Sequence, residues 1–338
     1  MEVTVSWGHE TIVNLLLEKG ADIIAQGGQY GNALPTAASE GHETIVNLLL
    51  EKGADVNTQG GKYGNALLAA ATEDHETIVN LLLEKGADIN AQGGFHGNVL
   101  QGPAYRGHET IVALLLEKGA DVNTNGGFTG NALQAAASGG HETIANLLLE
   151  KGADVNAQGG LYGNALQAAA TEGHETIVNL LLEKGADVNA QGGGYGNALQ
   201  AAASKDHETI VNLLLEKGAN VNAQGTKHGN AMQAAALRGH ETIVNLLLQK
   251  GADVNAQRGF CGNALQAAAL KGHEPIVNLL LEKGADLNAQ GGEYCKALQA
   301  AASAGYENIV NLLLQKGNAQ AGNALQPALS EGHISIIT

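Results

Sequence analysis

Apolar and polar positions recur along the chain in a fixed order, and the copy at residues 163–193 shows that order clearly. Three polar residues stand four apart, at Glu175, Asn179 and Glu183, and five apolar residues lie between them, Ile177, Val178, Leu180, Leu181 and Leu182. This spacing predicts a helix from near His174 to Lys184, with one solvent-facing stripe and the rest of its surface packed. Gly185 is expected to end the helix in a left-handed conformation.

A second, shorter helix precedes this one in each copy. Asn164 is a favourable N-cap, and Gln167 follows at the spacing of a capping box, in which each side chain bonds the other's backbone N–H. The helix is expected to run from Ala165 to about Thr171, because Gly173 interrupts it. After the longer helix, the polar and glycine-rich stretch DVNAQGG predicts an extended turn or hairpin.

The tetrad that opens the short helix, NALQ or a near-copy of it, recurs every 33 residues from Asn32 to Lys296 and again after 27 residues at Asn323. We therefore divide the chain into a partial repeat, eight repeats of 33 residues, a shortened repeat and an incomplete terminal repeat: 1–31, 32–295, 296–322 and 323–338. The prediction is a single array over residues 1–338, an all-α solenoid of stacked helix-turn-helix repeats with hairpin loops. Each repeat buries its faces only against its neighbours. The ends are thus expected to be frayed, capped by chain outside this sequence or paired with other chains, and the chain to be a fragment of a longer protein.

Composition and charge narrow the function. Hydrophobic residues make up 44% of the chain but aromatic residues only 3%, so the core must be aliphatic. The net charge of −16 comes from the repeat itself, since Glu175, Glu183, Lys184 and Asp187 together contribute −2 in a typical copy. An acidic chain without a basic stripe argues against nucleic acid as the main ligand.

Cysteine usage and hydropathy suggest a compartment. Cys261 and Cys295 are too few for a disulfide framework, and they do not form a zinc-binding CxxC pair. The sequence contains no N-glycosylation sequon and no apolar run of the length needed for a signal peptide or a membrane span. We expect a reducing compartment, the cytoplasm or alternatively the nucleus, and no membrane partner.

Motifs that would carry catalysis are incomplete. HETIV resembles the start of the zinc-protease motif HExxH, but Val178 stands where the second histidine would be. The glycine-rich stretch at 191–197 precedes a helix yet lacks the GK[ST] ending of a phosphate-binding loop. A repeat supplies parallel copies of like groups, whereas catalysis needs unlike groups that converge. We predict no catalytic residues, no metal and no cofactor, and expect the histidine column to be structural.

A pair of antiparallel helices and a hairpin at a period of 33 resembles the ankyrin repeat over essentially the whole chain. The matching letters are GH at 173–174 and IVNLLLEKGADVNA at 177–190, with their copies. NALQ stands where most ankyrin repeats have TPLH, and GGxYG replaces the usual hairpin residues. The repeat sequence is also similar to the long ankyrin arrays of fungal signalling proteins. The resemblance implies a curved solenoid whose concave face, formed by hairpin tips and inner-helix ends, binds proteins.

The residues that vary between copies lie at the hairpin tips and at the ends of the inner helices. On three consecutive repeats they form an aromatic cluster, Phe95, Tyr105, Phe128 and Leu161, with Arg106 beside it. Further along they form a basic–apolar patch, Lys205, Lys227, Leu237, Arg238, Arg258, Phe260, Leu270 and Lys271. We predict that the cluster is an interface anchor and that the patch recruits an acidic segment. The alternative is that these surface residues vary because no partner contacts them.

One repeat breaks the pattern. The stretch NVLQGPAYRGH, which begins at Asn98, has Gly102 and Pro103 in place of two alanines. Because Pro103 lies past the first helical turn and removes a hydrogen bond, the helix should be kinked or shortened. The irregularity is either a tolerated defect or the wall of a pocket beside Tyr105 and Phe128.

The function favoured by the sequence is a non-catalytic scaffold that binds a protein or peptide partner. Two alternatives stay open. The chain could be the regulatory array of a larger signalling protein whose catalytic or nucleotide-binding domain lies outside this sequence. Less favoured is an enzyme with a pocket at the irregular repeat around Pro103.

Overall fold

The computed structural model describes residues 2–22, 31–225, 229–257, 259–292 and 296–317, and these fall into two compact units that divide between Ala186 and Asp187. The helices of the first unit are α1 (Glu2–Ser6), α2 (Glu10–Glu18), α3 (Ala33–Ser39), α4 (Glu43–Glu51), α5 (Ala66–Thr72), α6 (Glu76–Glu84), α7 (Gln101–Arg106), α8 (Glu109–Glu117), α9 (Ala132–Gly139), α10 (Glu142–Glu150), α11 (Ala165–Glu172) and α12 (Glu175–Glu183). Those of the second unit are α13 (Ala198–Ser204), α14 (Glu208–Glu216), α15 (Ala231–Arg238), α16 (Glu241–Gln249), α17 (Ala264–Lys271), α18 (Glu274–Glu282), α19 (Ala297–Ala304) and α20 (Glu307–Lys316). Odd-numbered helices are the inner helices and even-numbered ones the outer helices. The predicted all-α repeat solenoid is confirmed.

Most repeats begin their inner helix with a side-chain cap from asparagine, whereas the N-cap residues of α7 and α19, Leu100 and Lys296, make no such bond. In α11 the Asn164 carboxamide oxygen accepts the backbone N–H of Gln167 at 2.8 Å, and Gly173 ends the helix at a φ of +86°. Such a cap contributes about 1 kcal/mol. The alanines of this helix are fully buried. Small side chains therefore let neighbouring inner helices approach closely, as the sequence predicted.

The glutamine of NALQ does more than close a capping box. The reciprocal box forms at Asn230 with Gln233 and at Asn263 with Gln266. In α9, by contrast, the Gln134 carboxamide oxygen has no hydrogen-bond partner among the described residues, while its Nε2 donates to the carbonyls of Ala157 and Gly163 in the next hairpin at 3.0 and 3.3 Å. Gln233 does both, since its Nε2 also reaches Gly262 O at 2.9 Å. The glutamine is thus a buried tie between repeats, which the sequence interpretation missed.

The outer helices bury a narrower face than predicted. In α12 the buried side chains are Ile177, Val178 and Leu181. Leu180 and Leu182 are only half-buried, because they lie beside the solvent stripe on which Asn179 donates to Glu183 at 2.8 Å. Fully burying an aliphatic side chain contributes roughly 1.5–3 kcal/mol, so three positions per outer helix carry most of its packing energy. None of the described helices has the length and apolarity required to cross a membrane.

The irregular repeat has a shortened inner helix, as predicted. α7 begins at Gln101 with Leu100 at its N-cap, whereas α9 begins directly after its Asn131. A Cβ added to Gly102 would lie 2.1 Å from the hydroxyl oxygen of Thr72 in α5. The glycine is therefore required by close packing against the preceding inner helix.

The hairpins pair with one another through their tips. The N–H of Phe95 donates to Lys62 O at 2.7 Å, that of Phe128 to Phe95 O at 3.0 Å, and that of Leu161 to Phe128 O at 3.0 Å. Gly94 adopts a φ of +63°, and a Cβ there would lie 2.2 Å from the Tyr63 carbonyl carbon. The GG of the hairpin thus serves both the left-handed turn and the contact with the preceding hairpin.

Candidate functional site

Two phenylalanines at adjacent hairpin tips form an exposed stack. The ring centroids of Phe95 and Phe128 are 5.1 Å apart and their planes differ by 20°. The side chains are nevertheless 56% and 45% exposed. Because the tip-to-tip hydrogen bond fixes the two backbones, the pair is held in place without being buried.

The stack borders a cavity of about 120 Å³. Its lining residues are Phe95, His96, Tyr105, Phe128, Thr129, Ser138 and Tyr162. Hairpin residues and inner-helix ends thus meet at one place, as the sequence predicted for Phe95, Tyr105 and Phe128. Leu161 is 50% exposed on the next tip but does not line the cavity. Pro103 does not line it either, so the proline itself forms no wall.

Tyrosine–glutamate pairs flank the cavity on both sides. The Tyr63 hydroxyl donates to Glu73, and the Tyr162 hydroxyl donates to Glu172 at 2.9 Å. Burial, and after it the hydrogen bond to Glu73, raises the pKa of Tyr63 to about 12. Burial also raises the pKa of Tyr162. Both phenols therefore remain protonated donors at neutral pH.

Arg106, predicted to contact a partner, already has a partner within the chain. Its guanidinium lies 2.8 Å from the Glu73 carboxylate, one repeat away, and the Arg106 side chain is 42% exposed. An exposed pair of this kind contributes about 0–1 kcal/mol. Arg106 therefore orders the rim next to Tyr105.

His96 contributes an uncharged ring to the cavity wall. Burial, followed by the nearby Arg106 charge, lowers the pKa of His96. Its Nδ1 is buried and has no hydrogen-bond partner among the described residues. The residues that sequence reasoning missed are His96, Thr129, Ser138 and Tyr162. A usable signal was present, because His96 and Thr129 interrupt the tyrosines of GGxYG.

A family model described as "Ankyrin repeats (3 copies)" matches residues 1–93, 100–192, 192–258, 232–323 and 265–338. These matches reach from one end of the chain to the other. The chain belongs to the ankyrin-repeat family. The predicted resemblance is thus confirmed, and with it a general role in protein–protein interaction and a module type that is typically non-catalytic. A comparison with curated proteins finds no significant match.

The histidine column of this ankyrin array is structural, as predicted. In each case Nε2 hydrogen bonds a carbonyl at the inner-helix end of the preceding repeat: His42 to Ser6, His75 to Ser39, His108 to Thr72, His141 to Tyr105, His174 to Ser138, His240 to Ser204 and His273 to Leu237, at 2.9–3.3 Å. The histidines therefore tie successive repeats together.

The basic–apolar patch belongs to the second compact unit. Lys205, Arg238, Phe260 and Lys271 are exposed, whereas Leu237 and Leu270 are half-buried. Phe260, 59% exposed, is a hairpin residue, and Lys205 and Arg238 lie at inner-helix ends. Lys227 and Arg258 lie outside the described residues. That these side chains act together stays a prediction.

Proposed function

We propose that this ankyrin array is a non-catalytic scaffold that binds a protein or peptide on the surface formed by hairpin tips and inner-helix ends. The observation that supports it is the exposed Phe95–Phe128 stack beside an apolar cavity. Large exposed aromatic groups are unusual in a chain with 3% aromatic residues, and buried aromatic anchors dominate the energetics of protein interfaces. Cysteine usage suggests that it acts in the cytoplasm.

Rigidity favours this surface as an interface. Binding usually costs free energy because side chains lose rotational freedom, about 0.5–1.5 kcal/mol for each one that is immobilised. The Phe95 and Phe128 rings are already in contact, and the tip-to-tip hydrogen bond orders their backbone. A partner that covers them therefore gains apolar burial with little further ordering of the array.

The basic–apolar patch is proposed to add a second contact. In sequence it combines five cations, Lys205, Lys227, Arg238, Arg258 and Lys271, with the apolar residues Leu237, Phe260 and Leu270 on a chain of net charge −16. An acidic partner segment would be steered to such a patch, and the surrounding acidic surface would repel it elsewhere. Raising the salt concentration should then slow association.

The test replaces the exposed anchors and follows binding and stability together. Partners are captured from a lysate of the native source on immobilised full chain, identified, and titrated against the variant F95A/F128A/F260A. We expect that variant to weaken partner binding by about tenfold or more while its melting temperature stays close to that of the unaltered chain. The control L83A/L116A removes half-buried leucines from outer helices of the same repeats and should leave the dissociation constant unchanged. Equal binding by F95A/F128A/F260A would refute the assignment of this surface.

A further inference from the structure

The cavity has a cause in the sequence of two adjacent repeats. In the two repeats that flank the cavity, a hairpin tyrosine bonds a glutamate ten residues further on, at the inner-helix end. Tyr63 with Glu73 and Tyr162 with Glu172 form such pairs. The two repeats between them lack both members of the pair.

The replacements at these positions are smaller or differently charged. His96 and Arg106 occupy one repeat, and Thr129 and Gly139 the next. Thr129 is buried and donates weakly to the Gln101 carboxamide at 3.4 Å, so it does not extend across the inner-helix end as Tyr162 does. The volume that tyrosine rings fill in the flanking repeats is left as the cavity of about 120 Å³.

The cavity walls suit an aromatic ring. Four phenyl or phenol rings line it beside the His96 imidazole, those of Phe95, Tyr105, Phe128 and Tyr162, and the two phenylalanine rings are stacked at its mouth. An apolar protein cavity of roughly 150 Å³ holds a benzene molecule. A cavity of about 120 Å³ that is bordered by exposed rings can take an aromatic ring whose outer edge still touches Phe95 and Phe128.

The charges nearby favour a neutral occupant. Glu73 is bonded to Tyr63 and Arg106, and Glu172 is bonded to Tyr162. The only side chain among the lining residues that can become a cation is His96, whose pKa is lowered by burial. An ammonium or carboxylate group placed here would lose its hydration and would meet no oppositely charged side chain among the lining residues while His96 is neutral.

We infer that the cavity between the hairpins of Phe95 and Phe128 receives one neutral aromatic side chain, phenylalanine or tyrosine, from a partner peptide. The incoming ring takes the place of the tyrosine that these two repeats lack. This inference rests on the proposed function and adds the chemistry of the anchor residue. Aromatic neighbours prefer offset or edge-to-face contacts. Phenylalanine or tyrosine is therefore selected over leucine, which lacks a ring, and over lysine.

The first measurement uses the unaltered full chain. Peptides are selected on it from a displayed random library, and the tightest binder is resynthesised with its aromatic residue changed to leucine or lysine. We expect phenylalanine or tyrosine to be enriched at one position, and either replacement to raise the dissociation constant by about tenfold or more in fluorescence polarisation. A tight binder without an aromatic residue, no enriched peptide, or replacements without effect would each overturn the inference.

The second measurement fills the cavity from within. The variant H96Y/R106E rebuilds the regular tyrosine–glutamate pair, and T129Y adds the tyrosine alone in the next repeat, because a Cβ at Gly139 would lie 2.3 Å from the Tyr105 carbonyl oxygen. Each is expected to melt within a few degrees of the unaltered chain, since H96Y/R106E loses only the exposed Arg106–Glu73 pair, and to lose about tenfold or more in peptide affinity. The matched control T176Y adds the same ring to the exposed face of α12 and should bind as the unaltered chain does. If one cavity-filling variant fails to fold, the other variant and the peptide replacements still test the inference.

The outcomes separate this inference from the proposed function. If F95A/F128A weakens peptide binding but the filled variants bind normally, the surface is right and the cavity is not the anchor site. If F95A/F128A also binds normally, the surface itself is wrong and both proposals fail.

Discussion

The carboxylate of Asp206 lies 3.2 Å from Nδ1 of His240, one repeat further along the chain. Asp206 adopts a φ of +67° at a position where other repeats have a left-handed glycine. At one such position, Gly239, a Cβ would meet the ring of His273 at 2.7 Å. A side chain introduced there is thus aimed at the next histidine. Asp206 turns this close approach into a carboxylate–imidazole contact, and Asp74 makes a longer version with His108 at 3.7 Å.

Removing the Asp206 carboxylate while keeping its Cβ should destabilise the array. Alanine retains the cost of the left-handed backbone and loses the contact with His240, so we expect Asp206→Ala to lower the free energy of unfolding by about 1 kcal/mol. Asp206→Gly loses the same contact but relieves the backbone, and should stay within about 0.5 kcal/mol of the unaltered chain. Urea unfolding midpoints of the two variants test this. Equal effects would show that backbone conformation is not the deciding term.

Much of each repeat could be predicted from local sequence, because its causes are local. Asn164 caps its own helix, Gly173 and Gly185 end helices at positive φ, and Ile177 is buried by a four-residue periodicity. Each of these follows from residues within one or two turns. The helix pair, its bounds and the period of the array therefore followed from pattern alone.

The features that were missed involve residues about thirty positions apart. Gln134 donates a hydrogen bond to Gly163 O, 29 residues further along the chain. The capping-box spacing predicts only a contact with the start of its own helix. The cavity depends on His96 and Thr129 being smaller than tyrosine at the same time, and on Tyr162 closing the far wall. The exposed rings could be predicted, because large apolar residues stand out at positions that vary between repeats. The volume between the rings could not be predicted, since it arises from tyrosine side chains that these two repeats lack.

Gln134 should contribute to stability as a tie between repeats. In Gln134→Ala, the carbonyls of Ala157 and Gly163 lose their buried donor, which we expect to cost about 1–3 kcal/mol. Gln158→Ala is the matched control, because Gln158 is exposed and makes only a 3.4 Å bond to the carbonyl of Asn156. Chemical denaturation of the two variants gives the comparison. A loss as small for Gln134→Ala as for the control would mean that water replaces the tie.

His96 should make the stability of the array depend on pH. Its pKa in the folded chain is below the ordinary value of 6.5, so the unfolded chain takes up the proton first as pH falls. The stabilising effect of a neutral His96 is fully present above about pH 6.5 and is lost as pH falls through the window between that value and the lower folded pKa. His96→Gln removes this titration. Between pH 7.5 and pH 5 the melting temperature of the unaltered chain should therefore fall by more than that of His96→Gln. An equal fall for both would contradict the assignment.

Gly102 should be intolerant of alanine, although alanine favours helices. In a helix interior the change from glycine to alanine normally stabilises by about 1 kcal/mol. Here the new Cβ would lie 2.1 Å from the Thr72 hydroxyl oxygen, and overpacking of a buried site costs about 1–3 kcal/mol. We expect the clash to prevail, so that Gly102→Ala lowers the melting temperature.

The double variant distinguishes this clash from an effect on α7 alone. Thr72→Ala removes the hydroxyl and methyl groups that the new Cβ would meet, so T72A/G102A should be more stable than the sum of the two single changes predicts. A double-mutant cycle from urea unfolding measures that coupling. Additive effects would show that Thr72 moves aside freely, and the glycine would then be a tolerated defect of this repeat and not a requirement of its packing.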